Sequence, residues 1–251
     1  MLEQKTVWMV SGNKGGVGKS LFCLALASAL EMLGEEYAVL DGDGRSGDVY
    51  ESFKRKCPAR QGDFRNLRPE SHLCSFDKKY EDMIHQLLKC SSHLIINTPD
   101  GAASVLSEWF DVTLQHTESC NYQFKFVYLM SDRPDGLDIL KELIKKFHFI
   151  YPVRNLHFGE VNLFTVFNQE YAAGFSNVLN FPRLRGAEVR LLFNDKSSPL
   201  QALNRVNPKT NTFALPTLAR SRLHIWQNKF NEEIWEMIDN KDVATHITGN
   251  Q

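Results

Sequence analysis

The residues that could do chemistry begin with Lys14-Gly15-Gly16-Val17-Gly18-Lys19-Ser20. Glycines take backbone conformations that side chains disfavour, so successive N–H groups can turn inward and make an anion cradle at a helix N-terminus. Lys19 would bring a point charge to the β- and γ-phosphates of a nucleotide, and the Ser20 hydroxyl would complete the shell of a Mg²⁺ ion. The whole phosphate seat would run over Asn13, Lys14, Gly15, Gly16, Val17, Gly18, Lys19, Ser20 and Leu21. A glycine loop that binds nothing is the alternative. The Lys-Ser ending and the flanking strand and helix patterns argue against it.

A second constellation is Asp41-Gly42-Asp43, which follows the apolar run Tyr37 to Leu40. If that run is a parallel strand, both acids lie at its carboxyl end, where ligands bind in such sheets. Acids spaced i, i+2 could divide the labour of phosphoryl transfer, one holding Mg²⁺ through water and one orienting the attacking water. The competing reading is a solvated Asp-Gly turn.

The elements that must position these residues follow from periodicity. Thr6 to Ser11 reads as a strand running into the glycine loop, and Lys19 to Leu33 as a helix with Phe22, Leu26, Leu30 and Leu33 on one face. Gly34 stops it, and Tyr37 to Leu40 is a second strand, so the unit is βαβ with parallel strands. Further strands are predicted at His93 to Ile96, Phe124 to Met130 and Val161 to Phe167, with a possible sixth at Phe213 to Leu215. Helices are predicted at Tyr80 to Leu88, Gly136 to Phe147 and Ser221 to Asn240, the last with the stripe Leu223, Trp226, Phe230, Ile234 and Met237. Glu51 to Lys79, broken by Pro58 and Pro69, reads as irregular or weakly helical. The expected architecture is α/β: three layers, α/β/α, around a mostly parallel sheet.

Bulk properties set the bounds. The chain has 251 residues, 43% hydrophobic and 24% charged, enough for a substantial core in one domain spanning 1–251. A net charge of -1 excludes a global polycation. Cys23, Cys57, Cys74, Cys90 and Cys120 are scattered without a C-x-x-C pair, as reduced thiols of a cytoplasmic protein would be. No signal peptide and no apolar run of about 20 residues is seen, so a soluble protein without membrane association is expected. The glutamates on the outer face of the last helix also speak against a membrane-surface role.

In one respect the glycine loop is unusual. Asn13 stands where the ordinary G-x-x-x-x-G-K-[ST] motif has its first glycine, and a second lysine, Lys14, follows at once. Asn-Lys-Gly-Gly-Val-Gly-Lys-Ser resembles the deviant Walker A motif of the ParA/MinD P-loop ATPases. The resemblance implies an ATP- and Mg²⁺-dependent homodimer in which Lys14 reaches across to the partner's phosphates, much as an arginine finger does. It gives Lys14, Lys19 and Asp43 catalytic roles, Asp43 being similar to the water-positioning acid, and makes Ser20 and Asp41 the magnesium-side ligands. Gly44 stands where the family has proline.

His93 to Gly101 resembles the family's Walker B segment, with Asn97 in place of the acid and Asp100 in place of the second proline. An amide accepts a hydrogen bond but carries no charge, so slow hydrolysis is expected, with Asn97→Asp raising turnover unless Asp41 or Asp100 compensates. By the same resemblance Asn168, read as following a late strand, would bond the adenine, and the segment from Pro216 to Arg222 would close over base and sugar. The role implied is an ATPase switch that positions or segregates DNA in plasmid partition, stability or conjugative transfer, stimulated by a protein partner.

The stretch Arg183 to Lys229 fits non-specific DNA contact: Arg183, Arg185, Arg190, Lys196, Arg205, Lys209, Arg220, Arg222 and Lys229 are set against Glu188 and Asp195. A solvated face or contacts to the nucleotide would account for the same residues. A scaffold that binds nucleotide with little hydrolysis is the rival function, supported by Asn97. A small-molecule kinase would need an acceptor pocket, and an iron–sulfur reductase would need interface cysteines that Cys120 alone does not supply.

Overall fold

The computed structural model describes residues 4–12, 14–66, 75–102, 121–147 and 149–239. Seven parallel strands form the central sheet: β1 (Lys5–Gly12), β2 (Tyr37–Asp41), β3 (Ala59–Gln61), β4 (His93–Asn97), β5 (Tyr122–Met130), β6 (Ile150–Asn155) and β7 (Leu179–Phe181). Their order is β3-β2-β4-β1-β5-β6-β7, so β1 lies at the centre between β4 and β5. Chain connections from β1 leave toward β2 and return through β4 to β5, which opens a crevice at the carboxyl end of β1.

Both faces of the sheet are covered, which explains the unbroken apolar runs of the central strands. On one face, α1 (Lys19–Leu33) packs against α8 (Thr217–Asp239), with α2 (Asp48–Phe53), α6 (Gly186–Asn194) and α7 (Pro199–Asn204) around them. The core there joins Trp8 and Val10 of β1 to Phe22 and Leu26 of α1 and to Trp226, Phe230 and Ile234 of α8. On the other face, α3 (Ser75–Lys89), α4 (Leu137–Lys146) and α5 (Thr165–Glu170) cover Val7, Met9, Phe126 and Tyr128. The result is the three-layer α/β/α arrangement with a parallel sheet. The stripe predicted on the last helix is buried along its length, from Leu223 to Met237.

Two expectations are corrected. Val161 to Phe167 is not a strand: Val161–Leu163 forms a 3-10 turn that leads into α5. Phe164 and Phe167 are buried at i, i+3 spacing, whereas Val161 and Leu163 are exposed, so the period is helical despite a β-rich composition. The strand that follows β5 is instead β6, the sixth in chain order, which carries Pro152. Pro152 pairs opposite Tyr128, while pairing of β6 with β7 begins only at Val153 and Leu179, so no ladder bond on that side requires its missing N–H.

Phe213 ends β9 (Thr212–Phe213), which pairs with β8 (Val206–Asn207) in a small antiparallel ribbon apart from the main sheet. The region from Glu51 to Lys79 carries α2, the edge strand β3, a 3-10 turn at Phe64–Asn66 and the start of α3 among its described residues.

Candidate nucleotide site

The loop after β1 begins at Gly12, packed so closely that a Cβ there would lie 2.6 Å from Val17 and 2.9 Å from the Leu129 carbonyl. Gly16 and Gly18 have φ of 74° and 101°, the left-handed region that glycine tolerates at no steric cost. Gly18 is the N-cap of α1 and no side chain caps that helix, so its first N–H groups face the crevice. Asn13 lies outside the described residues.

Lys19 is buried; its Nζ donates to the Lys14 carbonyl at 3.2 Å and pairs with Asp100 Oδ1 at 2.5 Å. Lys14 points the other way, to Asp135 Oδ2 at 3.3 Å, with the Phe158 ring centroid at 6.0 Å. Ser20 and Leu21 line the cleft with Gly16, Gly18 and Lys19, while Val17 is buried beneath it.

Asp41 and Asn97 end neighbouring strands, in register with each other. Asp41 is fully buried. Its Oδ1 accepts from the Asn97 amide at 2.9 Å and from the Asp43 N–H at 3.2 Å; its Oδ2 accepts from the N–H groups of Val49 and Tyr50 at 3.1 and 3.0 Å. Burial pushes its carboxyl above the usual range, against the opposing pull of the Tyr50, Asn97 and Asp43 donors. Both oxygens of Asp41 are thus engaged, Oδ1 by Asn97 and Asp43 and Oδ2 by the start of α2, and the residue does not line the cleft, which speaks against the magnesium role expected of it. Asn97 is its partner, and Cys23 Sγ, 3.9 Å away, donates to the Asn97 Oδ1.

Asp43, in contrast, lines the cleft. Its oxygens accept from the Arg45 N–H at 3.2 Å and the Ser46 hydroxyl at 3.3 Å, with Arg65 Nη2 at 3.9 Å. Of the two acids after β2, Asp43 is the one presented to a ligand.

Asn168 does not follow a late strand, as the sequence suggested. It sits on α5, where its Oδ1 accepts from Arg154 at 2.9 Å and its Nδ2 donates to the Val161 carbonyl at 2.7 Å, and it is not among the lining residues. The asparagine that follows a late strand is Asn155. Its Nδ2 donates to the Val17 carbonyl at 2.8 Å, its Oδ1 accepts from the His157 N–H at 3.0 Å, and a Cβ on Gly18 would come within 2.6 Å of it. Pro216 is exposed and does not line the cleft either.

The cleft so formed has a volume of about 350 Å³. Beyond the phosphate loop its far wall is apolar: Phe181 and Pro182 after β7, Leu184, and Val189 and Phe193 of α6, with His157 at the edge. A charged floor beside an apolar slot suits an anionic ligand with a flat, less polar end. Nothing in the sequence pattern announced that wall; its members are spread over residues 181–193 without a motif. Among the described residues no cluster of three or more His, Cys, Asp or Glu could hold a metal by itself. A Mg²⁺ carried on a nucleotide fits only with Ser20 and cleft-facing acids as protein partners.

No family model matches the chain. A curated relative, protein MobD of Acidithiobacillus ferrooxidans, is 25% identical over 173 residues, 65% of this chain and 69% of that protein. Among solved structures, a putative plasmid partition protein of Borrelia burgdorferi bound to AMPPNP aligns with 92% of this chain and 100% of its own, at a TM-score of 0.50 and 16% identity. A nucleotide-binding protein of Archaeoglobus fulgidus in complex with ADP aligns over 76% of this chain and 87% of its own, at a TM-score of 0.52 and 14% identity. Against the cell division protein FtsY of Thermotoga maritima the chain spans about half the length, 54%. These likenesses show the fold, a three-layer α/β/α arrangement around a parallel sheet, shared with two proteins solved with a nucleotide bound.

Proposed function

We propose that the chain is a single-domain, cytoplasmic, ATP- and Mg²⁺-dependent switch of ParA/MinD type, which dimerises on ATP and hydrolyses it slowly. The observation that carries this reading is the division of labour between the two lysines. Lys19 is buried in its own loop, whereas Lys14 is turned out of it toward Asp135. A lysine that does not serve its own cradle is free to serve the phosphates of a second copy.

Nucleotide would sit with its phosphates on residues 14–21 and its base against the slot of Phe181, Leu184, Val189 and Phe193. Asp43 would orient the attacking water. Since Asn97 and Asp41 are engaged with each other, neither is left to serve the metal, which supports slow turnover and keeps a nucleotide-sensing scaffold as the second reading. Turnover measured beside Asp43→Ala separates them: the switch needs a basal rate that this substitution abolishes, the scaffold has none.

The likeness to a putative plasmid partition protein supports a role with plasmid DNA. Arg183, Arg185, Arg222 and Lys229 gather around one groove beside the start of α8, together with Glu160 and Glu188. Lys196, Arg205 and Arg222 are paired with Asp48, Asp195 and Glu188, so the cation surplus is smaller than composition suggests. No described helix is long and apolar enough to cross a membrane.

The deciding experiment is light scattering with and without Mg-ATP for the parent and Lys14→Ala. The parent is expected to dimerise only with ATP, and the variant to bind ATP as a monomer. Full dimerisation of the variant would remove the reading.

A further inference from the structure

Asp100 lies across the mouth of the phosphate loop. Its Oδ1 is 2.5 Å from Lys19 Nζ, and its Oδ2 lies so near Gly15 that a Cβ there would come within 2.6 Å. A carboxylate therefore spans the loop from Gly15 to Lys19, on the buried cation that a phosphate would use. Among the acids around the cleft it is also the one most free to change partner. Asp41 is saturated by N–H donors, Asp43 is held by Arg45 and Ser46, and the Asp100 side chain is 58% exposed.

We propose that Asp100 makes the cleft selective for a nucleotide that arrives with a divalent cation. A bare polyphosphate must displace the carboxylate from Lys19 and then lie beside it, like charge against like charge in a partly desolvated cleft. A metal-bearing polyphosphate carries less negative charge, and its cation offers the displaced carboxylate a new partner at the place where Asn97 supplies none. Asp100 is thus a specificity-determining residue that couples nucleotide binding to the metal, and it lies one loop beyond the strand end where sequence comparison seeks the acid. The inference rests on the nucleotide reading of the cleft.

Equilibrium binding of a fluorescent ATP analogue, in excess Mg²⁺ and in EDTA, tests it on the parent, Asp100→Asn, Asp100→Ser and Lys19→Ala. The parent is expected to bind at least about tenfold more weakly in EDTA, a difference of about 1.4 kcal/mol. Both Asp100 variants are expected to bind more tightly than the parent in EDTA and to lose most of the metal dependence. Because Asp100 is exposed, their thermal unfolding should match the parent's. If the Asp100 variants keep the parent's affinity in EDTA and its metal dependence, Asp100 is a bystander and the inference falls while the nucleotide reading stands. If the parent binds no analogue in either buffer and Lys19→Ala is indistinguishable from it, both fall.

Discussion

The two halves of the cleft are built on opposite physical plans. The phosphate half, at the ends of β1, β2 and β4, is dense in hydrogen bonds and charge: two glycines at positive φ, a buried lysine and a carboxylate met by four donors. The base half, after β6 and β7 and along α6, is mostly side-chain carbon. The first can supply affinity for any polyphosphate without distinguishing its base, and the second supplies area and shape but no charge. They meet at Asn155, whose amide ties the Val17 carbonyl of the loop to the end of β6. On the proposed reading strength and selectivity are carried by separate elements, so they should be separable by mutation.

The largest effect is expected in the phosphate half. Lys19→Ala removes the buried cation, and charge-assisted bonds to phosphate are worth roughly 1.5–3 kcal/mol each. Nucleotide affinity, read by calorimetry, should fall by about a hundredfold or more, and pyrophosphate competition should fall with it. Retained pyrophosphate binding would mean that the loop is not the source of anion affinity.

Next is Asn97→Asp, which on sequence grounds restores a missing acid. The structure gives it a different outcome. The new carboxylate would face Asp41 Oδ1 across the present 2.9 Å bond, and two buried carboxylates at that distance share one proton. Asp41 is already pushed upward by burial, so the shared proton would be held well above the usual carboxylate range. Unfolding releases it, so the folded state binds more protons than the unfolded one. Stability is then full at acid pH and lost as pH rises through the raised folded value, by about 1.4 kcal/mol per pH unit over that interval. Urea unfolding should show the variant weaker than the parent at pH 8 and closer to it at pH 5, with no gain in turnover. An undiminished midpoint at pH 8, or a faster ATPase, would return Asn97 to the role of a missing acid.

This pair also shows what could be read in advance. The phosphate half was legible because its chemistry demands particular residue types at close spacing: the glycines, Lys19 and Ser20 fall within one short segment, and the strand and helix around them have clean periods. What Asp41 and Asn97 do to each other was hidden, since a hydrogen bond between residues of different strands depends on the order β2-β4, which periodicity does not fix. The base half was hidden for another reason. The β-rich run Val161 to Phe167 was read as the late strand, so the late asparagine was sought at Asn168, on a segment whose Phe164 and Phe167 follow a helical period. Apolar wall residues such as Leu184 and Val189 look in sequence like any other core.

The smallest effect, and the sharpest test of separability, is expected at Phe193. It lies in the last turn of α6, lines the apolar slot and packs half-buried against the core on the α1 face. Phe193→Ala opens the wall without touching the loop, Lys19 or Asp43. Losing part of an aromatic face is worth roughly 1–2 kcal/mol by area, so ATP affinity should fall about five- to thirtyfold at most. Inorganic pyrophosphate, which has no base to place in the slot, should compete for the site as well as it does in the parent. The two titrations together decide whether the halves are independent. Equal losses for ATP and pyrophosphate would mean that the wall acts through the loop, by way of Asn155 and Val17. A loss confined to ATP would locate the base in the slot, and its size against adenine and guanine nucleotides would then report how much selectivity an almost purely apolar wall can give.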